Sequence, residues 1–184
     1  MSTSVRVRGA LVLSQRAQME RIAGRATVRR AIDALPPGLR DAYEDASMLS
    51  WVPQRAVRDV TRLVANDLGM SAVGLAERIV RTSVTELCAG PWNILLRMTS
   101  DEALLSRATS IFARAFDVGR IDTAVQEGGA IEVVLRGWPA ADDMDIASVS
   151  AGIRATLEAV GRLARVQHVR TPDGARYRVH VSVE

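Results

Sequence analysis

The chain has no lysine, and all 24 of its basic residues are arginine. It has one cysteine, two histidines and only 4% aromatic residues. Each scarcity excludes something. A single cysteine, Cys88, rules out an internal disulfide framework and fits a reducing compartment, so a cytoplasmic location is expected. The two histidines, His168 and His180, have no second histidine or cysteine at metal-ligand spacing, so no metal is expected. No apolar run approaches the roughly 20 residues of a membrane span, and the start, Met1 to Arg8, lacks the apolar core of a secretory signal. An all-arginine inventory suits bidentate recognition of carboxylate or phosphate. A GC-rich coding bias is the favoured explanation, and it accounts also for the wealth of Ala, Val and Gly. The net charge of +3 is modest, and the positive charge is not clustered as in strong nucleic-acid binders.

What is present is helical periodicity followed by strands. At 184 residues one well-cored domain is expected. It is divided into an N-terminal strand or arm (1–13), a helical body (14–117) and a sheet-forming block (118–184). Val5 and Val7 alternate with Arg6 and Arg8, and Ser14 is a candidate cap for a helix over Gln15 to Ala23. Short helices follow over Thr27 to Ala34 and from Pro37. Trp51-Val52-Pro53 marks a boundary, and Gln54 to Leu68 repeats apolar residues at helical spacing. Ser71 caps a helix to Cys88, Trp92 to Met98 forms a short one, and Thr99-Ser100-Asp101-Glu102 starts another that reaches Phe116.

The block after it reads as a strand near Gly119 to Gln126, a strand Ile131 to Arg136, a helix Val149 to Leu163 and a hairpin Val166 to Val183. The fold class is therefore α+β: a helical body followed by a small antiparallel sheet with a C-terminal strand–helix–hairpin. Pro172-Asp173-Gly174 predicts a three-residue hairpin loop. That register puts Arg170, Arg176, Arg178, His168 and His180 on one face, opposite a packing face of Val169, Tyr177, Val179, Val181 and Val183. Like charges facing each other across strands cost stability. Solvent, an anion or an acidic protein partner can offset that cost at this face.

Other constellations carry less. Asp142, Asp143 and Asp145 read as a solvated loop near a helix start rather than a calcium site. Cys88 reads as a buried, inert thiol. No nucleophile elbow or phosphate-cradling glycine loop appears, so no enzyme is expected. Trp51, Trp92, Phe112 and Phe116 could line an apolar pocket, although core packing is their usual role. The segment 54–87, with Gly69, Ser71 and Arg78, resembles a helix-turn-helix, but Leu75, Ile79, Val80, Val84 and Leu87 read as core, so nucleic acid is not the expected partner.

Several local patterns occur in order: Ala34-Leu35-Pro36, Trp51-Val52-Pro53, Leu68-Gly69, Pro91 to Leu96, Glu132 to Pro139, a glycine-bearing helix Gly152 to Gly161, and Tyr177-Arg178-Val179. Together they resemble an uncharacterised protein family abundant in myxobacteria. The layout is also similar to the haem-NO-binding-like and TRAPP-subunit-like sensor folds. That resemblance implies a non-enzymatic domain that binds a small apolar ligand or a partner, often as a dimer. The haem-binding branch uses a helical histidine and a Tyr-x-Ser-x-Arg motif, and this chain has neither, so no cofactor is expected. The first reading is a signalling or scaffold domain that binds a protein partner, an acidic one, as a homodimer. The second is a small-molecule sensor with an apolar pocket in the helical body, and the third is DNA binding.

Overall fold

A computed structural model of the chain describes residues 5–88, 99–127 and 129–183. The predicted helix over Trp92 to Met98 lies outside them. The fold class is α+β with antiparallel sheets. In order the elements are β1 (Arg6–Arg8), α1 (Gly9–Ala23), α2 (Arg25–Asp33), α3 (Pro37–Glu44), β2 (Trp51–Pro53), α4 (Gln54–Asp67) and α5 (Ala72–Cys88). They continue with α6 (Asp101–Ala115), β3 (Arg120–Val125), β4 (Ile131–Arg136), α7 (Asp143–Ala159), β5 (Arg162–Thr171) and β6 (Gly174–Val183).

The helical end packs around aliphatic stripes. Met19 of α1, Val28 and Ile32 of α2, Tyr43 of α3, Val57, Val60 and Val64 of α4, and Leu75 and Ile79 of α5 close one core. Their spacing is that of helices with a single apolar face. Proline at the first turn of α3, and the Ser71 hydroxyl accepting the Gly74 amide at the start of α5, are as the sequence predicts. Helix α1 differs: it begins at Gly9, and Ser14 lies inside it. Gly9 accounts for the early start. Its amide donates to the Ser50 carbonyl at 2.8 Å, and a Cβ there would collide with the Ser47 carbonyl. The run Ala10 to Leu13 is therefore helical and only Arg6 to Arg8 is strand, paired antiparallel with Trp51 to Pro53. The N-terminal strand thus joins a two-stranded ribbon, touching Phe116 through Val7, rather than the terminal sheet.

The second core lies under a four-stranded antiparallel sheet ordered β3-β4-β6-β5. Its inner face, with Ile121, Ile131, Val133, Leu135, Ala175, Tyr177 and Val179, meets Ile146, Ile153 and Leu157 of α7 and Leu104 and Phe112 of α6. Helix α7 begins six residues before its predicted start. The Asp142 carboxylate accepts the Asp145 amide, and the Asp145 carboxylate accepts the Asp142 amide, both at 3.0 Å. This capping box satisfies two amides that a helix start leaves without partners.

The hairpin departs from its predicted register by one residue. Thr171 pairs with Gly174, Arg170 with Ala175, Val169 with Arg176 and His168 with Tyr177, so the loop is Pro172-Asp173 alone. The cause lies outside the hairpin. Leu135 of β4 pairs with Ala175, so Gly174 lies against the Leu135 carbonyl, where no Cβ fits, with φ +149°. The Trp138 amide holds the turn by donating to the Asp173 carbonyl at 3.0 Å.

Candidate functional site

The register shift turns β5 over, because strand side chains alternate between faces. The predicted arginine–histidine face is therefore split. Arg176, Arg178 and His180 are exposed on the outer face of β6, while His168 and Arg170 point to the side of Tyr177. Arg170 is committed to the fold. It donates to the Ala141 carbonyl and pairs with Asp143 at 2.7 Å, fastening the end of β5 to the start of α7. His168 is exposed beside the Tyr177 ring, with centroids 6.0 Å apart. Val169, predicted on the packing face, is exposed on the outer face.

That outer face remains cationic. Arg120, Arg136, Arg165, Arg176 and Arg178 are exposed on it. Asp122 pairs with Arg120 and Arg136, and Glu132 with Arg176 at 3.4 Å. Arg165 lies directly across from His180. Among the described residues neither Arg165 nor Arg178 has a carboxylate partner.

The predicted aromatic pocket is also rearranged. Phe112 and Phe116 do come together, with centroids 4.7 Å apart, but their third partner is Trp138, 5.0 Å from Phe116 and 6.0 Å from Phe112. Trp51 lies on the ribbon, where the Arg8 guanidinium covers its ring at 3.9 Å. Trp92 lies outside the described residues. Trp138 is 1% exposed, and its indole N–H has no acceptor among the described residues. A buried donor without a partner is costly, about 1–3 kcal/mol. Phe116 packs against both cores, so this cluster sits at the seam between them.

A second part of the seam is ionic. Asp145, read from sequence as part of a solvated loop, is 4% exposed. Its carboxylate accepts from the Arg58 guanidinium and from Gln54 Nε2 at 3.0 Å, both on α4. Arg62 pairs with Asp142 at 2.7 Å. Helix α4 thereby grips the start of α7. Burial raises the Asp145 carboxyl above the usual carboxylate range, against the opposing pull of Arg58 and the capping amide. Beside it Gln54, Arg58, Thr61, Met144 and Ser148 line a space of about 30 Å³. That is room for one water, positioned to donate to the buried Gln54 Oε1, which has no donor among the described residues. Sequence signals named the aspartates but not their partner, since Arg58 is 87 positions away.

The helix-turn-helix reading fails on packing. Leu75 and Ile79 are buried, Val80 faces Gly152 of α7, and Arg81 pairs with Glu158 at 3.0 Å. Helix α5 is thus packed along α7 and is not a free recognition helix. Cys88 is buried at its end, and burial pushes the thiol up, as expected for an unreactive cysteine.

No family model and no curated protein matches the sequence. Solved structures do match. An unliganded Fe(II) H-NOX protein from K. algicida has a TM-score of 0.74 at 8% identity, over 96% of this chain and 97% of that one. An S. oneidensis H-NOX protein in the Fe(II)NO ligation state has a TM-score of 0.68 at 8% identity, over 95% and 99%. An oxygen-binding H-NOX domain related to soluble guanylate cyclases has a TM-score of 0.62 at 15% identity, over 95% and 94%.

The chain has the H-NOX fold. The resemblance in layout thus falls on the haem-NO-binding side, not on the TRAPP-subunit side. The likeness also corrects the first functional reading. H-NOX structures have been determined in the Fe(II)NO state and as an oxygen complex, which counts against the reading of a scaffold that acts through protein binding alone. Helix α6, which leads into the sheet, contains no His, Cys, Met or Tyr, and both histidines lie on exposed strand positions.

Proposed function

We propose that the chain is a small-molecule-sensing domain. The end-to-end likeness to ligand-binding H-NOX structures carries this reading. The ligand site we assign is the seam at Phe112, Phe116 and Trp138. Three rings offer apolar contact, and the buried indole N–H offers one hydrogen bond to a ligand acceptor. Small-molecule sites combine these features, a mostly apolar lining with a few fixed polar groups. The rings must part to admit the ligand, and because Phe116 touches both cores, parting them shifts one core against the other.

The output surface on this reading is the outer sheet face, where Arg176, Arg178 and His180 suit an acidic protein partner. The indole N–H resonance of Trp138, assigned by its disappearance in Trp138→Phe, tests the ligand site. Titration with an apolar carbonyl compound such as cyclohexanone should move that resonance saturably. A resonance that stays fixed while Tm also stays fixed would remove Trp138 from the site.

A further inference from the structure

We propose that this chain carries the H-NOX fold without haem, the seam between its two cores being filled, among the described residues, by Phe112, Phe116 and Trp138. The inference rests on the ligand chemistry of the residues present. Protein haem iron is held by histidine, cysteine thiolate or tyrosinate, and methionine serves beside a histidine. The two histidines of the chain are on β5 and β6, and both are exposed to solvent. His180 faces Arg165 across the strands and has Arg178 two positions away on its own strand, so an iron centre there would join a cluster of positive charge. His168 stands at the rim of the sheet beside Tyr177.

The anionic candidates are held in their neutral forms. Burial raises Cys88, Tyr43 and Tyr177 above their ordinary values, which disfavours the thiolate or phenolate that would bind iron. The Tyr177 hydroxyl is also engaged, donating to the Ile146 carbonyl at 3.2 Å. Tyr43 is 1% exposed within the aliphatic helical core.

Space points the same way. Organic ligands of drug size occupy sites of about 300–1,000 Å³. The space beside Asp145 holds about 30 Å³, room for a water and not for a macrocycle, with the Asp145–Arg58 pair in its wall. A larger cleft of about 290 Å³ runs along Leu163, Arg165, His180 and Val181, but it is an open groove at the end of the sheet. It would leave a macrocycle wet. At the seam, the stacked rings of Phe112 and Phe116 and the tilted Trp138 occupy the interior between α6 and the sheet. The sensor reading is thereby narrowed to a metal-free organic ligand of modest size.

The test uses the full chain. Purified protein is mixed with haemin, reduced, desalted and examined by absorption and by pyridine haemochromogen assay, with NO added at the end. The expected result is no haem retained in stoichiometric amount and no protein-specific Soret band that shifts with NO. Retention of one equivalent with an NO-responsive Soret band would overturn the proposal. Loss of that band in His180→Ala or His168→Ala would then name the ligand. The cyclohexanone titration is read separately. A saturable shift of the Trp138 resonance upholds the sensor reading whichever way haemin behaves. A silent resonance with no haem retained counts against the sensor reading and leaves the haem-free fold standing.

Discussion

The inner and outer faces of the terminal sheet are made by the same strands and do opposite things. On β6, Ala175, Tyr177 and Val179 point inward and are buried, while the alternating Arg176, Arg178 and His180 are exposed. The inner face is fixed by α6, α7 and the seam, so each of its side chains has a neighbour that depends on it. The outer face carries surface ion pairs such as Arg176 with Glu132, which are worth little in water. Stability therefore resides on one face, and freedom to meet a partner resides on the other.

Substitutions that open the inner side should have the largest effects. Trp138→Ala removes the largest fully buried side chain and should cost about 3–5 kcal/mol in urea unfolding. Trp138→Phe should cost much less, because it also removes the donor that has no acceptor. A large loss in Trp138→Phe would mean that the indole N–H is engaged after all.

Arg58→Ala leaves the Asp145 carboxylate buried without its main cation, and a comparable loss of about 3–5 kcal/mol is expected. Combining it with Asp145→Asn should cost less than the two separate losses added together. Additivity would show that the grip of α4 on α7 is not a coupled pair. Gly174→Ala should follow, at about 1–3 kcal/mol from backbone strain alone, and should weaken protection of the β4–β6 amides in hydrogen exchange.

The pH dependence is a finer measure. Because burial raises Asp145 in the folded chain, the native state holds this proton more tightly than the unfolded chain does. The stability linked to Asp145 is fully present below the ordinary aspartate value and is lost as pH rises through the raised folded value. Subtracting the profile of Asp145→Asn should isolate that slope. A difference of the opposite sign would show that Arg58 outweighs burial.

On the outer face, Arg176→Gln with Arg178→Gln should change stability by no more than about 0.5 kcal/mol, while weakening capture of an acidic partner. Unchanged capture would return these arginines to solvent.

Much of the fold was legible because it is local. The stripe Val57, Val60 and Val64, the Ser71 cap and the strand Ile131 to Arg136 each declare themselves within a few residues. The α+β class follows from their order. What escaped was set by distant contacts. The hairpin register depends on Leu135 meeting Gly174, and a slip of one residue was enough to divide the predicted arginine–histidine face. The start of α7 depends on a capping box whose second aspartate is buried by Arg58 and Gln54. Of the aromatic cluster, Phe112 and Phe116 lie four positions apart and stack on each other. Trp138 was identified only as a residue at a strand boundary, since nothing in its neighbourhood points to the helix it meets.

Small-molecule sensing by this fold requires a ligand that travels with the chain. Native mass spectrometry of the protein purified from its own host tests it most directly, since it weighs chain and ligand together. The expected spectrum contains a population carrying one equivalent of a small organic molecule, released on collisional activation, with a mass other than that of haem. A spectrum showing only the bare chain, with no gain in mass or in Tm on exposure to the host's small-molecule extract, would contradict it.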